Sequence, residues 1–171
     1  MKGIEKKITK RLSVLAGLEL SGVNRAVDML TLQFGPLVPR VSRRGITKLL
    51  GTWALHIQCP WRIECAGTIY VGKSDLCEQG SESNEIVKLA DDRIKVLFDG
   101  ASRAVGATSS GGGGIVVLDV RGDEFGGVWI TLSEKFRLVI FPDGTTSEAW
   151  RFFSSASDEK HLVVEGGAID G

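Results

Sequence analysis

The stretch Gly67-Thr68-Ile69-Tyr70-Val71-Gly72-Lys73-Ser74 satisfies G-x-x-x-x-G-K-S, the spacing in which backbone N–H groups cradle phosphates and a lysine reaches them. Ile115-Val116-Val117-Leu118-Asp119 resembles the apolar strand whose terminal aspartate holds magnesium in nucleotide triphosphatases. The residues between the two glycines argue against that chemistry. Thr68, Ile69, Tyr70 and Val71 are β-branched or aromatic and favour extended backbone. A phosphate loop must open a helix at its lysine, and no helical pattern starts at Lys73. His56 and Cys59 suggest a base and a thiol nucleophile, but on one strand they point to opposite faces. A zinc set drawn from His56, Cys59, Cys65, Cys77 and His161 has irregular spacing and no C-x-x-C. No catalytic, cofactor-binding or metal-ligating residue is therefore assigned, and the expectation leans away from an enzyme.

What remains is a row of polar groups: His56, Gln58, Arg62 and Glu64, with Asp143 and Arg151 as company from a neighbouring hairpin. Groups two apart on a strand face lie within about 7 Å, so Arg62 and Glu64 can pair. This is the candidate binding face.

The element that must position it is a period-two alternation from Trp53 to Val71. Trp53, Leu55, Ile57, Cys59, Trp61, Ile63, Cys65, Ile69 and Val71 share one parity, broken only at Gly67, and that face enters a core. Pro60 gives no hydrogen to a ladder, so it marks an edge position or a strand bending between sheets. Upstream, Ile4, Ile8, Leu12 and Leu15 recur at helical spacing, predicting an amphipathic helix over 3–16 with a basic face able to touch lipid phosphate. Leu30, Leu32 and Phe34 predict a strand stopped by Gly35-Pro36. Residues 85–98 carry the clearest helix, with Ser83 or Asn84 as its cap. A Gly/Ser loop follows over 101–114. Strands are then expected at 115–121, 128–132, 136–141, 149–153 and 162–164, with a turn at Pro142-Asp143-Gly144 and a partly extended tail over 154–171. The expectation is one α+β domain over 1–171: a mostly antiparallel sheet of six to seven strands with two amphipathic helices.

With 171 residues, 43% hydrophobic and 25% charged, the composition is that of a soluble globular chain able to bury its own core. Three cysteines fit a reducing compartment better than a disulfide framework. The start has basic residues before Leu12–Leu18, but the apolar run is short and interrupted and lacks a small-x-small cleavage site. Cytoplasmic placement is expected. No stretch approaches a membrane span. Residues 1–50 hold ten Lys and Arg against three Asp and Glu, so nucleic-acid or membrane attachment through this basic third is one alternative. The basic residues are not interleaved with aromatics, which weighs against nucleic acid.

Arg25-Ala26-Val27-Asp28-Met29, Leu32-Gln33-Phe34-Gly35, Leu55-His56-Ile57-Gln58-Cys59-Pro60-Trp61-Arg62, Phe141-Pro142-Asp143 and Trp150-Arg151-Phe152-Phe153 occur in that order. Over residues 25–153 the chain resembles a family of small bacterial proteins with L-H-x-Q-C-P-W-R, G-x-I-x-V-G-x-x-D-L and F-P-D…W-R-x-F segments. That family has no established activity, so the resemblance carries over no site residues. It does imply that Val71–Leu76 is a shared structural segment. The expected function is a non-enzymatic binding or interaction protein, with a protein partner or a homodimer, immunity-like or self-associating. The alternative is a small-ligand binder or enzyme using the 53–71 face. Trp129 and Trp150 are open to either core or interface roles.

Overall fold

The structure, a computed structural model, describes residues 3–76, 83–99 and 114–170. Cys77 and the 101–113 part of the Gly/Ser segment lie outside the described residues. The order is α1 (Ile4–Leu12), β1 (Leu20–Ala26), β2 (Met29–Val41), β3 (Thr47–Ile57), β4 (Trp61–Cys65), β5 (Thr68–Gly72), α2 (Ser83–Asp99), β6 (Val117–Gly122), β7 (Val128–Leu132), β8 (Phe136–Ile140), β9 (Glu148–Ser154), β10 (Leu162–Glu165) and β11 (Ala168–Asp170). The class is α+β, as the patterning predicts, but the strands form two antiparallel sheets. One has six strands in the order β1-β2-β3-β9-β10-β11, and the other has five in the order β5-β4-β8-β7-β6.

The long alternation is cut at Gln58-Cys59-Pro60, where the chain leaves the six-stranded sheet and enters the five-stranded one. Parity survives because both sheets turn the same face inward: Leu55, Ile57, Cys59, Trp61 and Ile63 are all buried. β8 and β9 make the matching crossing, so β3 pairs β9 on one side of the corner and β4 pairs β8 on the other. Strands that switch sheets at a bend are how sandwich corners are made. Pro142-Asp143-Gly144 therefore lies in a sheet-to-sheet crossing and not in a hairpin. Gly67 breaks the parity because Ala66-Gly67 is a two-residue hairpin loop with positive φ at both positions, the geometry that matches strand twist. An extra residue in β5 then shifts the register, which turns Ile69 out to solvent.

Gly35-Pro36 does not stop β2. The pair forms a bulge, with Gly35 at φ +80°, and pairing to β3 resumes from Leu37 to Val41. Residues 37–41 and 47–51 pair only with each other, as a two-stranded arm beyond the sandwich.

Both helices and both sheets contribute to one core, around Phe34, Trp61, Trp150 and Phe152. Trp150 is a core residue, its Nε1–H donating to the Gly126 carbonyl at 2.7 Å. α2 covers β1 and β5 and is tied there by Arg25, which pairs with Asp91, and by Arg93, which donates to the Tyr70 carbonyl at 2.7 Å. α1 lies across β6. A Cβ at Gly122 would sit 2.6 Å from Ile8 Cγ2, so glycine is what lets the helix approach so closely. Gly122 N–H donates to Thr9 Oγ1 at 2.9 Å. Among the described residues, no helix is long and apolar enough to cross a membrane.

Candidate functional site

The six residues of the predicted binding face do not form one site. His56 and Arg151 lie on the six-stranded sheet, where they pair across strands, and Gln58 follows the end of β3. Gln58 and Arg151 meet at Glu148, which the sequence reading missed. Arg151 pairs with Glu148 through both carboxylate oxygens, and Gln58 Nε2 donates to it at 3.0 Å. The Arg151 guanidinium, with Gln58, holds the Glu148 carboxyl below its usual range. Burial pushes the His56 imidazole below its ordinary value, and Arg151 adds to that. Its ring stands edge-on to Phe153 at 5.0 Å, and Phe153 stacks on His161 at 4.3 Å.

Arg62 and Glu64 belong to the other sheet. They pair at 2.7 Å as their spacing predicts, and Arg137 of β8 donates to the second carboxylate oxygen at 2.8 Å. The two guanidiniums, Arg62 foremost, hold the Glu64 carboxyl low. Asp143 sits between the clusters, lining a cleft of about 360 Å³ with Gln58, Cys59, Lys73 and Glu148 but without His56. Lys73, the lysine of the phosphate-loop spacing, points to the Gln58 carbonyl and pairs with Asp28 at 3.3 Å. Gly72 N–H goes to Asp75. Cys59 faces inward, and burial pushes its thiol up to about 12. A thiol held that high gives almost no thiolate near neutral pH.

A different cavity has the composition of a binding site. A groove of about 560 Å³ lies between α1 and the inner edge of the six-stranded sheet, lined by Lys7, Lys10, Arg11, Val14, Trp53, Lys160 and Leu162. α1 supplies Lys7, Lys10 and Arg11, spaced i, i+3 and i+4 on one stripe, and the 3-10 turn that follows it over Ser13–Leu15 adds Val14. The opposite stripe, Ile8 and Leu12, is buried in the core and fixes the helix rotation. The sheet supplies an apolar floor. Trp53 of β3 stacks on Phe152 at 5.1 Å with an interplanar angle of 13°, and Leu162 of β10 lies beside Phe152 in register.

The charges around the groove are unbalanced. Arg11 lies 5.9 Å over the Trp53 ring and pairs with Glu159 at 3.3 Å, while Lys160 pairs with Asp170 at 3.0 Å. Lys7 and Lys10 have no carboxylate within salt-bridge distance among the described residues. Pockets that bind small molecules are concave and mostly apolar, with a few converging polar groups. The only signal in the sequence is the helix's basic face; nothing there places Trp53 and Leu162 beneath it. Against known proteins, the chain matches no family model, no curated protein and no solved structure.

Proposed function

We propose that this chain is a non-enzymatic binding protein whose site is the groove between α1 and Trp53. Its ligand is an anion carrying an apolar or aromatic body. The observation behind this reading is the pairing of two ammonium groups, Lys7 and Lys10, that meet no carboxylate among the described residues, with a floor of Val14, Trp53 and Leu162. An anionic head gains from the lysines while its body covers the indole and the leucine. A neutral molecule of the same shape loses the first of these terms. A cation meets like charge. A protein partner would enter by the same chemistry, presenting an acidic group beside an apolar one.

Calorimetric titration with naphthalenesulfonate and with naphthalenemethanol tests the proposal. Binding of the sulfonate, weakened in Lys7→Gln/Lys10→Gln and much weaker for the alcohol, supports it. Equal binding of the two compounds, or a double variant indistinguishable from the parent, overturns it.

A further inference from the structure

The arm formed by residues 37–41 and 47–51 keeps the alternation of the strands it extends. Within it Gly51 pairs with Leu37 and Leu49 with Pro39, and a Cβ at Gly51 would lie 2.9 Å from Gln33 Cβ, so the ribbon bends away from the sheet at the Gly35-Pro36 bulge. That register puts Leu37, Pro39 and Val41 of β2 on the same side of the ribbon as Leu49. Leu37, Val41 and Leu49 are 52%, 70% and 62% exposed, and Ile46 at the tip is 55% exposed. Apolar side chains left bare in a contiguous row mark a surface that something else covers.

The charges on the arm indicate what covers it. Residues 35–52 contain Arg40, Arg43, Arg44 and Lys48 and no Asp or Glu. Arg43 and Arg44 occupy the turn, which is closed by Ser42 N–H to the Ile46 carbonyl at 2.8 Å. Among the described residues, only Arg40 has an acidic partner, Asp158 at 3.6 Å, on the face turned away from the bare row. A second arm packed on the first would bring two all-cationic ribbons together with no carboxylate between them. Addition of a strand is also disfavoured, because Pro39 leaves no N–H to offer at the outer edge of β2. Nucleic-acid phosphates would pair with the arginines, but they leave aliphatic side chains in a wet, polar contact. An anionic bilayer surface satisfies both features, since acyl chains accept Val41, Ile46 and Leu49 while acidic headgroups take the arginines.

We infer that the 37–51 arm docks this chain on anionic lipid bilayers, with its tip inserted at the headgroup boundary and its arginines on the headgroups. Co-sedimentation of the full chain with phosphatidylcholine vesicles, with and without phosphatidylglycerol, tests this. Binding is expected only to the anionic vesicles and should weaken with salt. Arg43→Gln/Arg44→Gln should lower partitioning about 25-fold, roughly 5-fold per charge. Val41→Ser/Ile46→Ser should lower it by about 10-fold. All four positions are exposed, and thermal melting checks the fold. Should the serine variant melt below the parent, Leu49→Ser carries the same comparison. Absence of vesicle binding overturns the proposal, and so does undiminished binding by the serine variant. A parent chain that binds random duplex DNA in preference to anionic vesicles also overturns it. So does a parent dimer that Val41→Ser/Ile46→Ser converts to monomer.

Discussion

The outer face around Glu148 and the groove beside α1 both collect cationic side chains next to an aromatic ring, yet they are built to opposite ends. At Glu148 the charge is already consumed: Arg151 and Gln58 converge on one carboxylate, and His56 is left neutral by burial. In the groove, Lys7 and Lys10 sit over an apolar floor with no carboxylate partner among the described residues. Polar residues aligned on a strand are thus poor markers of a site. What counts is whether their hydrogen-bonding and charge are satisfied within the fold.

The strongest way to break this contrast is to move the helix and leave the groove lining intact. Gly122→Val should force Ile8 and α1 off β6. Overpacking of this kind costs about 1–3 kcal/mol, so the urea midpoint should fall and the groove's ligand binding should go with it. A variant as stable as the parent that still binds would show that α1 does not depend on that contact. Next in size, Glu148→Ala strips charged hydrogen bonds from Arg151 and Gln58 and should cost about 1–3 kcal/mol in urea unfolding. Lys7→Ala and Lys10→Ala should each stay within about 0.5 kcal/mol of the parent. Equal losses on both sides would erase the distinction between a structural cluster and a free one.

Acid sharpens the same comparison. Glu64, Glu148 and Asp91 are each held below the ordinary carboxylate range, first of all by a hydrogen bond from an arginine. A carboxylate whose folded value is depressed contributes stability above its unfolded value of about 4.3 for Glu and 3.9 for Asp, and that contribution is lost as pH falls through the folded value. Unfolding midpoints should therefore drop on the acid side of that range. Glu64→Gln should flatten the drop, and an unchanged profile would argue against the pairing. The smallest effect concerns His56. Its folded value also lies low, so its contribution is present above about 6.5 and fades as pH falls through the folded value. Arg151→Met should raise the His56 midpoint in an NMR titration, and a fall would contradict the assigned cause.

Much of the fold was legible in the chain. The parity of 53–71 foretold the burial of Leu55, Ile57, Cys59, Trp61, Ile63 and Val71 but not the exposure of Ile69, and β7 fell on the predicted residues. The corner at Pro60 was only half legible, because parity is the same whether a strand continues in one sheet or enters another. β1 and β11 went unread: in the first a bulge between Leu20 and Gly22 sets the buried Leu20 and Val23 three apart and breaks the alternation, and the second has three residues. The groove was the least legible part. Its floor joins Trp53 to Leu162 through the β3-β9-β10 pairing, and its cations come from a helix seated by Gly122, so no local spacing announces it.

NMR mapping with naphthalenesulfonate tests the central claim most directly, since the two regions carry separate reporters. The account predicts that Trp53, Val14 and Leu162 resonances move together and saturate, while those of His56, Phe153 and Arg151 stay still. Movement of the His56 set with Trp53 unmoved would contradict it.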